Sequence, residues 1–232
     1  MLTLSHAQLK DVARGTALAF VERLTDTMSS QFPEQLKRLP RFARIAMMAN
    51  GLQVADGFGL TLEKTLGMFV ALQLETSADF HVHPLADAIL RFNTPQQVRI
   101  DRLLRDIPQA VWDVIKRGAD RRAWFEPHLP QQQLARIAAG VCAVFPELVE
   151  VHSETKLSAL FGQAISGAQR HGLDPDTGVV VYAAALAVYG TRLDEPGGPT
   201  WAADVFTHPP RAPAKLVALL RLQLLLDTDR LV

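Results

Sequence analysis

The sequence predicts an all-α, bundle-like protein that consists of two similar multi-helix halves. Apolar residues recur at helical spacing through most of the chain, and Pro and Gly residues mark the ends of these stretches. The same punctuation residues also recur at one fixed offset. Of the 232 residues, 48% are hydrophobic and 21% are charged, which is ample for a sizeable core. From these patterns we expect about ten helices.

Helical spacing is clear from the beginning of the chain. Ser5 and Gln8 have the spacing of a capping box, and apolar residues follow at helical intervals until Pro33 ends the first helix. A second helix is predicted from Phe42 onward, ending near Gly57 or Gly59 because glycine readily adopts the left-handed conformation that follows a helix.

Further helices follow in the same half. Thr61 is the expected N-cap of a helix over Leu62–Glu75, and shorter helices are predicted from Pro84 and over Pro95–Ile107. In the second half, Val179–Tyr182 is β-branched enough for a strand. It lies within an Ala-rich run, however, and the longer pattern favours a buried helix.

An internal duplication is predicted from residues that recur 113 positions apart. Phe32-Pro33-Glu34 matches Phe145-Pro146-Glu147, and Gly59-Leu60 matches Gly172-Leu173. At the same offset Thr61 corresponds to Asp174, another N-cap type, which Pro175 follows at the expected first helical position. The expected organisation is a first half over 1–115, a connector over 116–130 and a second half over 131–232, with pseudo-twofold packing that mimics a homodimer.

The charge balance and the single cysteine argue against several classes of protein. Lys plus Arg and Asp plus Glu each total 24, so the chain lacks the basic excess of a nucleic-acid binder or a polybasic membrane anchor. Cys142 is the only cysteine, so there is no internal disulfide, and its apolar surroundings predict a packing role. The start of the chain lacks a signal-peptide pattern, and the Leu-rich stretch Leu216–Leu226 is too short to span a bilayer. A cytoplasmic protein is expected.

Motifs typical of enzymes are absent from the sequence. It contains neither a GxxxxGK[ST] nor a GxGxxG phosphate cradle, and no GxSxG elbow surrounds Ser166 or any other serine. Asp194 and Glu195 precede Pro196-Gly197-Gly198-Pro199, and this pattern predicts an exposed acidic loop rather than an acid–base pair. We therefore expect a non-enzymatic protein without a cofactor.

One alternative from another class rests on His81 and His83. Two histidines at i and i+2 on an extended segment face the same way and can chelate one metal ion, with Asp79 or Asp87 as a third ligand. The alternative is thus a metal-binding protein or an enzyme that uses this loop. A solvated loop is the more ordinary interpretation of the same pattern, and no metal site is assigned.

The second half resembles a family of small helical proteins that are encoded beside type VI secretion genes. The residues that carry the resemblance are Phe145-Pro146-Glu147, Ala164–Leu173, the helix capped at Asp174, and Pro199-Thr200-Trp201-Ala202. In the first half, Pro84-Leu85-Ala86 stands where the Trp segment would be and lacks the Trp. The resemblance implies a bacterial accessory role as an adaptor or chaperone-like protein that docks on a secretion effector or its carrier. Alternatively, it implies an immunity protein that neutralises a toxin. It carries over no catalytic residues.

Candidate partner-binding residues are aromatic residues outside the long helices and leucines of the last helix. Aromatic side chains in such positions often anchor interfaces, although they can equally fill the core between helices. The last helix is apolar on nearly every face, which indicates either deep burial or cover by a partner, including a second copy of the chain. The candidates are Trp124, Phe125, Trp201, Phe206, Leu222 and Leu226, and His208-Pro209-Pro210 is expected to close the short helix of Trp201.

Overall fold

The described part of the chain is all-α, as predicted. The structure is a computed structural model that describes residues 6–207 and 212–232. These residues form thirteen α-helices and contain no strand. The predicted capping box at Ser5 and the closing segment at His208–Pro210 lie outside the described residues. None of the described helices is long and apolar enough to cross a membrane.

The first seven helices follow the predicted order closely. Proline residues begin α2 and α5 and precede α3, α6 and α7, where their fixed φ suits a helix start. The prediction included neither α2, which is a single turn beginning with the proline that ends α1, nor α7, which is short and strongly amphipathic. The bounds are α1 (His6–Gln31), α2 (Pro33–Leu36), α3 (Arg41–Gly57), α4 (Glu63–Glu75), α5 (Pro84–Leu90), α6 (Gln96–Asp106) and α7 (Gln109–Arg117).

Six further helices follow from residue 130. The β-branched run Val179–Tyr182 lies inside α11, so the interpretation as a buried helix is confirmed. Two short 3₁₀ helices, Phe80–Val82 and Arg121–Trp124, complete the described elements. The bounds are α8 (Pro130–Val144), α9 (Leu148–Val151), α10 (Glu154–Arg170), α11 (Thr177–Tyr189), α12 (Thr200–Thr207) and α13 (Pro213–Thr228).

The chain forms two compact units. Unit 1 runs from the first described residue to Lys37 and continues over Arg44–Trp124, and unit 2 comprises Arg38–Ala43 and the chain from Phe125 onward. The core of unit 1 is centred on Phe69, Phe80 and Trp112, which α4, the first 3₁₀ helix and α7 contribute. Unit 2 is built around α11, which packs against α8, α10 and α13 and is buried continuously from Gly178 to Leu186.

Two helix starts differ from the prediction in their capping. Thr61 is not the N-cap of α4, because the Gln96 Oε1 atom accepts hydrogen bonds from the backbone N–H of Thr61 (2.8 Å) and of Leu62 (3.1 Å). Asp174 is not the N-cap of α11 either, because that residue is Asp176. The carboxylate of Asp174 nevertheless accepts hydrogen bonds from three backbone N–H groups at the start of the helix. Pro175 is not the first helical residue, however, because α11 begins only at Thr177.

The turns that end α3 and α10 have the same hydrogen-bond pattern. Gly59 and Gly172 have φ of 67° and 63°, the left-handed conformation that glycine adopts without strain. The N–H of Leu60 donates to Ala55 O (3.1 Å), and the N–H of Leu173 donates to the oxygen of Ala168 (2.9 Å).

The helices before these turns also correspond. α3 and α10 have 17 residues each, and α4 and α11 have 13 residues each. The bounds of α10 lie 113 positions after those of α3, which is the offset of the repeated residues in the sequence. The common origin of the two halves stays a prediction.

Candidate functional site

A buried carboxylate organises the most polar cluster of unit 2. Asp194 lies in the loop between α11 and α12, and its side chain is only 4% exposed. Its Oδ2 atom accepts a hydrogen bond from His171 Nε2 (2.7 Å) and one from Arg170 Nη2 (3.2 Å). The Tyr182 hydroxyl donates to the same carboxylate. We call Arg170, His171, Tyr182 and Asp194 the Asp194 cluster.

The electrostatics of this cluster keep Asp194 ionised. Burial by itself raises the pKa of Asp194, but the hydrogen bonds from His171 and Tyr182 and the charge of Arg170 outweigh it and lower that pKa. Burial and the nearby carboxylate both raise the pKa of Tyr182, so its phenol remains a hydrogen-bond donor. The result is a charged carboxylate that neighbouring donors satisfy.

Local structure on α10 holds the rings of the cluster in place. His171 caps the C-terminal end of α10, and its ring centroid lies 4.6 Å from that of Phe206 and 6.0 Å from that of Tyr182. Gly167 makes room for the phenol, because a Cβ there would lie 2.5 Å from the Tyr182 hydroxyl oxygen and 2.7 Å from its Cζ. The small residue at position 167 is therefore a requirement of the cluster.

Unit 1 has an apolar cluster at the corresponding positions. Phe58 and Phe69 precede His171 and Tyr182 by 113 positions, and their ring centroids are 6.2 Å apart. His81 stands 113 positions before Asp194, and its ring contacts Phe58 edge to face at 5.8 Å. The residues at this sequence offset thus make contacts between rings in unit 1 and surround a hydrogen-bonded charge in unit 2.

A cavity of about 610 Å³ lies in unit 2, with two members of the Asp194 cluster in its wall. Its walls come from α10, α11 and the loop of Asp194, and Leu186 is its one purely aliphatic side chain of more than one carbon. Polar side chains that line it include Gln163, Ser166, Arg170, Thr191, Arg192 and Glu195. This lining is suited to a polar ligand rather than to an apolar one.

This site was not predicted from the sequence. The local pattern placed Asp194 and Glu195 together in an exposed acidic loop. This is correct for Glu195 and wrong for Asp194, because His171 and Tyr182 enclose that carboxylate. A signal was present in the sequence: Asp194 follows Leu193, an apolar residue, and stands at the duplication offset from His81.

The four predicted aromatic residues are either buried or packed against other rings. Trp124 and Phe125 are buried. Trp201 packs edge to face on Tyr189 with centroids 4.9 Å apart, and Phe206 lies against the His171 and Tyr182 rings. From the sequence, these aromatic residues could belong either to the core or to an interface. Their contacts in the structure are those of core residues.

The leucines of α13 divide between a buried and an exposed face. Leu222, Leu225 and Leu226 are 52%, 38% and 69% exposed. They lie at i, i+3 and i+4, so they share one side of the helix. We call these three residues the α13 leucine face. The opposite side of α13 is buried through Leu216, Val217, Leu220 and Leu224.

The two histidines of the predicted metal loop have different environments. The His81 ring packs among phenylalanine rings, and burial lowers its pKa. His83 Nδ1 accepts from the backbone N–H of Leu85 (3.3 Å) and so caps α5, while Asp79 accepts from the Ser77 hydroxyl. Within the described ranges, no three His, Cys, Asp or Glu side chains are placed to hold a metal ion.

Cys142 is fully buried in α8, as predicted. Burial raises the pKa of its thiol to about 12. The reactive thiolate is therefore scarce at neutral pH, and the side chain acts as a small apolar group.

Comparisons with protein-family models, with curated proteins and with solved structures found no match to this chain.

Proposed function

We propose that this protein acts by binding another protein and that the α13 leucine face is its docking surface. The observation that carries the proposal is the exposure of Leu222, Leu225 and Leu226 on a helix whose other side is already buried. A helix that packs on one side needs no second apolar side, and neighbouring exposed apolar residues mark interaction surfaces.

The proposed partner is a secretion effector or the carrier of an effector. Support comes from the resemblance of Phe145-Pro146-Glu147, Ala164–Leu173 and Pro199–Ala202 to helical proteins encoded beside type VI secretion genes. The proposed role is that of an adaptor in the bacterial cytoplasm, and it requires no catalysis. The duplication of an ancestral helical unit is part of this proposal, since α3 and α10 end in the same turn.

The aromatic candidates have a different place in this proposal. Trp124 and Phe125 are buried, so their truncation removes core packing and is expected to destabilise the fold by about 3–5 kcal/mol. Loss of binding in Trp124→Ala therefore reports on unfolding and not on the interface. Leu222 and Leu226 are the informative positions, because exposed side chains tolerate substitution within about 0.5 kcal/mol.

The test is co-purification from the native cytoplasm, with a control variant that adds a negative charge at another exposed leucine. The double variant Leu222→Glu/Leu226→Glu is compared with Leu104→Glu, which changes an equally exposed leucine (53%) on α6. We expect one effector or carrier to co-purify with the native chain and with Leu104→Glu. Recovery should fall at least about tenfold in the double variant, because each leucine contributes about 1.5–3 kcal/mol when buried.

Three outcomes contradict the proposal or the adaptor role within it. Equal recovery of the partner with the double variant would remove the α13 leucine face from the interface. A native dimer that the same double variant converts to a monomer, measured by light scattering, would show that a second copy of the chain covers this face. If the captured partner is a toxin, relief of its toxicity without an effect on secretion would assign the immunity role instead.

A further inference from the structure

We propose that the cavity of unit 2 is a binding site for a small hydroxylated anion, a molecule that carries one carboxylate or phosphate group and several hydroxyl groups. The proposal concerns a surface other than the α13 leucine face and does not depend on the protein-binding role. The volume of the cavity, about 610 Å³, falls inside the usual range of small-molecule sites, about 300–1,000 Å³.

One wall of the cavity is a polar stripe on α10. Gly162, Ser166 and Arg170 recur every four residues and therefore face the same way. Gly162 adds no side chain and has open space where a Cβ would stand. Ser166 donates its hydroxyl to the Gly162 carbonyl (3.3 Å), which leaves its oxygen lone pairs to accept a hydrogen bond from a ligand.

The anionic group is assigned to the two guanidinium groups in the wall. Arg170 uses one nitrogen for Asp194, and its side chain is 59% exposed, so other N–H donors remain. Arg192 has no ion pair with any carboxylate in the described part of the chain. A planar guanidinium matches a carboxylate or phosphate with two parallel hydrogen bonds, which makes these residues the natural anion contacts.

The hydroxyl groups of the proposed ligand are inferred from a negatively charged residue in the same wall, Glu195. Glu195 is exposed, and its carboxylate can only accept hydrogen bonds. A bare anion would be repelled by Glu195, whereas hydroxyl groups on the same molecule would donate to it. Gln163 and Thr191 supply further donors and acceptors.

The loop that carries Arg192 and Glu195 is held in place by its other residues. Leu193 is buried, and Asp194 is bound by the Asp194 cluster. Gly198 packs so closely on the Arg192 carbonyl that a Cβ has no room. Anchored loops with exposed polar residues hold binding groups in fixed positions, which lowers the entropy lost on binding.

The polar residues of the Asp194 cluster are not needed merely to hold such a loop in place, as unit 1 indicates. At the corresponding positions Phe58, Phe69 and His81 form contacts between rings, so residues at this sequence offset can pack without a buried charge. A buried polar network is costly unless every polar group in it has a hydrogen-bond partner. Such networks are often found where a binding or catalytic function requires them.

The test measures thermal unfolding and calorimetric binding of the full chain with four probes: glucuronate, glucose 6-phosphate, glucose and inorganic phosphate. Glucuronate and glucose 6-phosphate should each raise the melting temperature by about 3–6 °C at ten times their dissociation constant. Glucose should have no effect, and phosphate a smaller one. A larger shift with one of the two anionic sugars would show whether the site prefers a carboxylate or a phosphate group.

The decisive variant is Arg192→Gln, with Arg105→Gln as the control because it also removes an exposed guanidinium. We expect Arg192→Gln to bind the anionic sugars at least about tenfold more weakly and Arg105→Gln to bind them like the native chain. Undiminished binding by Arg192→Gln would overturn the proposal, as would the absence of binding by both sugars at about 10 mM, far above ordinary ligand affinities. A response to phosphate as large as that to glucose 6-phosphate would show adventitious anion binding only.

Discussion

His171 and Asp194 form a 2.7 Å hydrogen bond, whereas Phe58 and His81, which stand 113 positions before them in unit 1, contact each other edge to face. Both pairs lie beside a helix-ending turn with a left-handed glycine. Two turns with the same hydrogen-bond pattern thus carry different side-chain contacts in the two units. Substitutions that exchange one kind of contact for the other can separate the requirements of the fold from those of the site.

The first prediction concerns the space that Gly167 leaves for Tyr182. Gly167→Ala should destabilise the protein by about 1–3 kcal/mol, because the added Cβ would overlap the phenol ring and force it or α10 to move. Urea denaturation measures the effect. Gly162→Ala, in the same helix but with open space around its Cβ, should instead stabilise by about 0.5–1 kcal/mol. Equal effects of the two substitutions would contradict the close packing of Tyr182.

The second prediction tests the correspondence of the two turns. Gly59→Ala and Gly172→Ala should each destabilise by about 1 kcal/mol, because both residues have positive φ and alanine is strained there. Gly57→Ala, two residues before the first turn and within α3, is the control and should be neutral or stabilising. Destabilisation at only one of the two turns would weaken the duplication proposal.

The third prediction concerns the pH dependence of the Asp194 carboxylate. Its pKa is lowered in the folded state, so the ionised form stabilises the fold above the ordinary Asp value of about 3.9, and this contribution is lost as the pH falls through the folded-state value. Asp194→Asn should therefore lose about 1–3 kcal/mol at pH 7 and progressively less below about pH 4.

Denaturation of both proteins at several pH values measures that difference. Glu195→Gln is the matched control, since Glu195 is exposed in the same loop and its substitution should stay within about 0.5 kcal/mol at each pH. If Asp194→Asn were destabilised equally at every pH, the carboxylate would act through packing and not through its charge.

The fold could be predicted from the sequence because its helix boundaries depend on neighbouring residues. Pro33 and the glycines at 59 and 172 act within one turn of the chain, so their effect is readable locally. The cap of α4 could not be predicted, since Gln96 reaches it from 34 positions away. A contact of that kind depends on tertiary packing, which no local pattern encodes.

The site was missed for the same physical reason. Asp194 acquires its burial from His171 and Tyr182, which stand on two different helices, whereas its own neighbours in sequence are typical of an exposed loop. Leu226 shows the opposite case. Its pattern allowed burial or exposure, and only the packing of α13 on α11 decides which leucines remain outside.

The loop around Asp194 contains both positions that the fold fixes and positions that can change without disturbing it. Leu193, Asp194 and Gly198 are fixed by burial, by hydrogen bonding and by the lack of space for a side chain. Thr191, Arg192 and Glu195 are exposed between or beside them. New side chains at the exposed positions would leave the anchors intact, so directed evolution of recognition in this protein should begin with a library at these three positions and keep the loop length constant.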